Sequence, residues 1–285
     1  MQLCKLRDEL GHSKVGLVRN SQVFTLNLER MQGVRSLSDI LFATEPARTI
    51  QLLVDDRLTT FPFESKHAQA PVDQQEIWAA GVTYKRSKQA RETESAGAAT
   101  FYDKVYTAER PELFLKATAA RVVGPWGTVR VRQDSRWTVP EPELAVFVSP
   151  DLRIVGYSIG NDMSARDIEG ENPLYLPQAK IYKQSCAIGP LVTLPQSMPA
   201  AELQRIDLKI ERNERLVFHG HTFRTEMARS LESLVEWLGR DNSFPNGAVL
   251  LTGTGVVPPD DFTLATGDKI TIEITGVGKL INVVG

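Results

Sequence analysis

Glu141 and Glu143, in Val139-Pro140-Glu141-Pro142-Glu143-Leu144-Ala145-Val146, have the residue types and spacing most suggestive of chemistry. They stand two apart, and on an extended backbone that period projects both carboxylates from one face. Like charges held so close repel unless a cation or a proton compensates them. Ser149-Pro150-Asp151-Leu152 reads as a turn into a second strand over 154–159. A hairpin centred on that turn sets Asp162 nearly opposite Val139, roughly 7 Å from Glu141 by diagonal-neighbour geometry. Three carboxylates without His or Cys beside them suit a hard divalent cation such as Mg²⁺, Mn²⁺ or Ca²⁺. The competing reading is a solvated strand edge for Glu141 and Glu143, with Asp162 opening a turn.

Strands are the main elements available to position this cluster. Residues 15–18, 22–26, 129–131, 144–148, 154–159, 191–194, 207–211, 216–219, 249–252 and 269–274 read as strands between Gly, Pro, Asn and Asp turns. Residues 38–42 read as a short helix and 50–54 as a further strand. Helices are also expected over 84–94 and 226–238. In the second, Met227, Leu231, Leu234, Val235 and Leu238 recur at helical spacing, with Thr225 as N-cap and Gly239 as stop. Strands outnumber helices without alternating with them, which predicts an α+β fold. Residues 67–71 read as a linker, dividing a small N-terminal α/β module (1–72) from a metal-dependent catalytic domain (73–285).

Composition narrows the function classes. The 285 residues carry 33 Lys+Arg against 35 Asp+Glu, a formal net charge of -2, with no basic run. That balance argues against a nucleic acid partner. No apolar stretch approaches the ~20 residues that span a bilayer, so no membrane partner is expected. Met1 opens a mixed charged segment rather than a signal or transit peptide, and two cysteines, Cys4 and Cys186, cannot make a disulfide framework. The expected setting is cytoplasmic.

Over residues 78–283 the chain resembles the fumarylacetoacetate hydrolase family. The resemblance is carried by Gly81-Val82-Thr83-Tyr84, Leu113-Phe114-Leu115-Lys116, the Glu141–Val146 run and Gly156-Tyr157-Ser158-Ile159-Gly160-Asn161-Asp162-Met163-Ser164-Ala165-Arg166-Asp167. Lys180, Gly189-Pro190, Leu251-Thr252-Gly253-Thr254-Gly255, Gly267-Asp268 and Gly276-Val277-Gly278-Lys279-Leu280-Ile281-Asn282 follow in order. The resemblance implies mixed, rolled β-sheets around a divalent metal held by Glu141, Glu143 and Asp162, in a homodimer or homotetramer. Hydrolases of the family carry a water-activating His and Glu where this chain has Ser87 and Ala90, neither of which is a general base near neutral pH. Glu112, in contrast, stands where those hydrolases are usually apolar. This altered set, with the run 169–182, is similar to the 2-keto-3-deoxy-D-arabinonate dehydratase branch. There, Glu112 and Lys180 fall at the proton-transfer positions.

The implied activity is dehydration of 2-dehydro-3-deoxy-D-pentonate to 2,5-dioxopentanoate, in oxidative pentose breakdown. Its partner is then a small anionic 2-keto-3-deoxy sugar acid. The metal chelates the substrate carboxylate and 2-keto oxygen and favours loss of the C3 proton. Lys180 is the candidate base, since desolvation and a nearby cation lower a lysine pKa by several units; the alternative is a surface lysine or a fixed cation. Glu112 is the candidate acid for the leaving hydroxyl; the alternative is a solvated loop carboxylate. By resemblance Arg166 and Thr254 anchor the substrate, although Arg166 could equally pair with Asp167 or Glu169, and the Gly-Thr-Gly run could be only a tight turn. His219-Gly220-His221 and Cys186 read as structural. The competing functions are a C–C hydrolase or decarboxylase acting on a β-diketo acid, acylpyruvate or oxaloacetate with the same metal, and a non-catalytic binding protein.

Overall fold

A computed structural model describes residues 1–8, 10–55, 57–58, 60–84 and 105–285. Beyond Tyr84, the helix expected over 84–94 lies outside the described residues, as do Ser87 and Ala90. A twelve-stranded sheet forms the frame. Its path runs Thr60–Pro62, Gln22–Thr25, Ser13–Arg19, Gln2–Arg7, Cys186–Thr193, Ile154–Asp162, Pro142–Val148, Ala248–Leu251, Glu76–Gly81, Glu112–Thr118. A five-stranded sheet runs Arg215–Phe223, Arg205–Arg212, Lys269–Ile274, Gly278–Val284, Thr128–Val129. Mixed sheets with short helices make this the expected α+β architecture. Among the described residues no helix is long and apolar enough to cross a membrane.

Residue periodicity explains the layers. In Lys269–Ile274 the isoleucines at 270, 272 and 274 point into the core while Lys269, Thr271 and Glu273 stay half-buried on the other face. Pro142–Val148 is buried at every position because both of its faces are covered. Leu144, Val146 and Val148 join a core shared with Ile206, Ile272 and Leu234. Ala145 and Phe147 join a second core with Leu3, Leu41 and Ile50 from the N-terminal segment.

Three local expectations are corrected. Residues 50–53 end a helix, Pro46–Leu53, and Val54 is its extended C-cap; the proline is in the first turn and Thr49, Ile50 and Leu53 are buried on one side. The helix expected from residue 226 is Leu231–Gly239, because the Ser230 hydroxyl accepts from Ser233 N and caps it there, whereas Arg224–Glu226 is a 3₁₀ turn. Residues 67–71 are structured: Ser65–His67 is a 3₁₀ turn and Ala68–Gln69 pairs with Lys5 and Leu6. The N-terminal strand Gln2–Arg7 is also bonded to Cys186–Thr193 through Gln2↔Thr193 and Leu3↔Val192.

Candidate metal and active site

The three carboxylates meet because of a hairpin and its turn. Pro142–Val148 pairs antiparallel with Ile154–Asp162, Pro142 opposite Asn161 and Glu143 opposite Gly160. One step further out, Glu141 N donates to Asp162 O (3.2 Å) and Asp162 N to Glu141 O (3.0 Å). Asp162 thus lies directly opposite Glu141, and the expectation of Val139 was two residues off. A register irregularity at Phe147/Val148 accounts for part of the difference. A shift of two keeps every side chain on its face, so the predicted cluster survived the error. Glu141, Glu143 and Asp162 are buried, and one oxygen from each lies within 4.8 Å of the others.

Three buried cations are laced into this cluster. Lys180 ends the short helix Leu176–Lys180, and its Nζ donates to Glu141 Oε2 (2.9 Å), Asp162 Oδ2 (3.1 Å) and Ser164 Oγ (2.6 Å). Arg166 opens the helix Arg166–Glu171 and donates from Nη2 to Glu141 Oε1 (2.7 Å). Lys116, on Glu112–Thr118, lies 2.5 Å from Asp162 Oδ1 and donates to the carbonyls of Met163 (2.9 Å) and Lys180 (2.5 Å). Glu143 is held instead by the Gly253 N–H, which donates to its Oε2 at 2.6 Å. Burial first, and then the charges of Asp162 and Glu141, push the Glu143 carboxyl well above the usual carboxylate range. Buried charges are tolerable only when paired in this manner.

The remaining expected residues divide. Glu112 is half-buried at the start of Glu112–Thr118, its carboxyl lying over Gly81. Thr254 is buried in the Gly253-Thr254-Gly255 turn, where its hydroxyl accepts from Val256 N (3.2 Å). Gly81, Phe114, Arg166, Lys180, Gly253 and Thr254 line one cleft with Glu141 and Asp162; its volume is about 10 Å³, roughly what one water needs. A larger cavity of about 1040 Å³, between Leu6, Lys14, Leu28 and Phe61, is lined by none of the expected site residues. Arg166 pairs with Glu141, while Asp167 accepts from Ser135 Oγ and Arg136 N (2.6 Å each). His219 contacts Asp207 (3.3 Å) and His221 packs edge-on against Phe223, in keeping with structural roles. Cys186 is fully buried, which pushes its thiol up to about 12.

Lys116 is the residue that sequence reasoning missed. In sequence it stands only as the end of Leu113-Phe114-Leu115-Lys116. The available signal was a single lysine ending an apolar run.

The donor set is all oxygen, buried and concentrated within one ion's reach, so these residues fit a hard divalent cation. Rolled mixed sheets around such a triad, with a lysine amine at its edge, define a class of metal-dependent enzymes acting on small oxo acids. Residues 76–285 match the family profile described as fumarylacetoacetate (FAA) hydrolase C-terminal. The chain belongs to this family. It is 45% identical over 278 residues to a probable 2-keto-3-deoxyxylonate dehydratase of Haloferax volcanii, covering 95% of each chain. It is 41% identical over 227 residues to a 2-dehydro-3-deoxy-D-arabinonate dehydratase of Saccharolobus solfataricus, covering 79% of this chain and 76% of that one. A solved structure of 2-keto-3-deoxy-D-arabinonate dehydratase complexed with magnesium and 2,5-dioxopentanoate superposes with a TM-score of 0.85 at 34% identity, over 100% of this chain and 98% of the other.

Proposed function

We propose that this chain is a hydro-lyase that uses Mg²⁺ to convert 2-dehydro-3-deoxy-D-arabinonate to 2,5-dioxopentanoate. The observation that carries the mechanism is the Lys180 amine, buried and in contact with two carboxylates of the triad. Glu141, Glu143 and Asp162 would hold the ion, which supplies Lewis acidity that makes the C3 protons of a bound 2-keto acid easier to remove. Lys180, in its neutral form, takes a C3 proton. Glu112, in its protonated form, gives its proton to the C4 hydroxyl, and the C4–O bond breaks to release water. The resulting C3=C4 enone carries a hydroxymethyl carbon at C5. Glu112, now a carboxylate, removes a C5 proton while protonated Lys180 returns one to C3. This leaves a C4=C5 enol, which becomes the aldehyde as C4 gains a proton and the C5 hydroxyl gives one up to solvent. Arg166 and Thr254 anchor the substrate carboxylate and hydroxyls. A cytoplasmic homodimer or homotetramer in oxidative pentose breakdown completes this reading.

Incubation with Mg²⁺ and 2-dehydro-3-deoxy-D-arabinonate tests it. The expected product is 2,5-dioxopentanoate, detected as a semialdehyde. Pyruvate formed from an acylpyruvate or from oxaloacetate, with no turnover of the keto-deoxy acid, would sink this reading in favour of a C–C hydrolase or decarboxylase.

A further inference from the structure

Glu112 and Gly81 face one another as register partners across the antiparallel pair Glu76–Gly81 and Glu112–Thr118. A Cβ built on Gly81 would lie 2.6 Å from the Glu112 carboxyl carbon, closer still to Oε2, and 3.3 Å from Cγ. The Glu112 carboxyl therefore fills the volume that any side chain at position 81 would take. Gly81 is not among the residues of positive φ, so its backbone does not call for glycine. What position 81 needs is room.

The surrounding backbone has little freedom to create that room. Val82, the next residue, sits at φ +51, a conformation rare for a β-branched side chain and sustained only where its surroundings dictate it. Thr83 then donates from Oγ1 to Thr252 O (2.7 Å) and accepts from Ala228 N (2.9 Å). The three atoms nearest the built Cβ all belong to the flexible Glu112 side chain. A methyl at position 81 would thus move the carboxyl and leave the strands in place. Gly81 also lines the cleft with Glu141, Lys180 and Thr254, so the Glu112 carboxyl is held against a residue of the cleft lining.

We propose that Gly81 is a positioning residue, whose missing side chain sets the Glu112 carboxyl at the reacting carbon. The inference rests on Glu112 as the proton donor. A misplacement of ~1 Å at such a group costs about a hundredfold in rate. Four proteins test it: wild type, Gly81→Ala, Glu112→Ala and the double variant. Gly81→Ala is expected to keep the wild-type melting temperature, Mg²⁺ affinity by calorimetric titration, and KM, while kcat falls about a hundredfold. In the Glu112→Ala background, which loses about 10²–10⁴-fold, adding Gly81→Ala is expected to cost nothing further. Wild-type kcat in Gly81→Ala, or an equal loss from it in both backgrounds, overturns the inference while leaving Glu112 as the acid. Wild-type kcat in Glu112→Ala overturns the acid assignment, and this inference with it.

Discussion

Lys116 and Lys180 are both buried amines, and their partners separate their roles. Lys116 is tied to two backbone carbonyls as well as to Asp162, so it braces the wall of the site. Lys180 reaches two carboxylates and the Ser164 hydroxyl in the cleft itself. Lys180→Ala, assayed with Mg²⁺ present, is expected to keep its fold and bind the ion but lose about a thousandfold or more in kcat. Near-wild-type product formation would rule Lys180 out as the base. The carboxylates were legible in sequence because a two-residue period between prolines leaves few alternatives to a shared face. Lys116 was not legible: one polar residue in an apolar strand usually faces water, and only the folded sheet shows that this one is enclosed.

At the level of elements, the turn from Ser149 to Arg153 matters most, since it sets which residue faces Glu141. Ser149 donates to Asp151 Oδ1 (2.6 Å) and accepts from Arg153 N (3.0 Å), and Arg153 Nε reaches Asp151 Oδ2 at 2.5 Å. The Arg153 guanidinium first, and then the Ser149 hydroxyl, pull the Asp151 carboxyl down to about 2. Its value in an unfolded chain is about 3.9. A carboxylate lowered on folding stabilises above its unfolded pKa and loses that effect as pH falls through its folded one. Asp151→Asn is therefore expected to melt slightly below wild type at pH 7, and the gap to close between about pH 4 and pH 2. A gap unchanged over that window in paired melting curves would remove the turn's ionic contribution. Sequence patterning located this hairpin, whereas its register depended on an irregularity at Phe147/Val148 that no residue type announces. Residues 50–54 suggest a strand for a related reason: their short apolar run fits either period until packing chooses the helix Pro46–Leu53.

For the molecule as a whole, the question is how far the N-terminal segment is separate. We propose a division near residue 72, which the start of the family match at residue 76 supports. The segment nevertheless shares a core: Leu3, Leu17 and Leu41 pack in the same cluster as Ile77, Ala145 and Val249. A protein beginning at residue 73 is expected to bind a hydrophobic dye and to sediment as aggregates, since it would expose that apolar face. A monodisperse, dye-negative product would show that the catalytic portion is self-sufficient.

The six ionisable side chains of the site come from five separate elements, Glu141 standing one residue ahead of its strand, with Lys116 and Lys180 64 residues apart in the chain. Each is costly to bury without its partners. A collapsed chain missing any one of these elements would strand charges in an apolar interior, so partly assembled forms are disfavoured here until all five arrive. The groups proposed to handle the substrate thereby also act as a checkpoint on the chain's own assembly. A protein compact at this point is one in which the catalytic groups have already met.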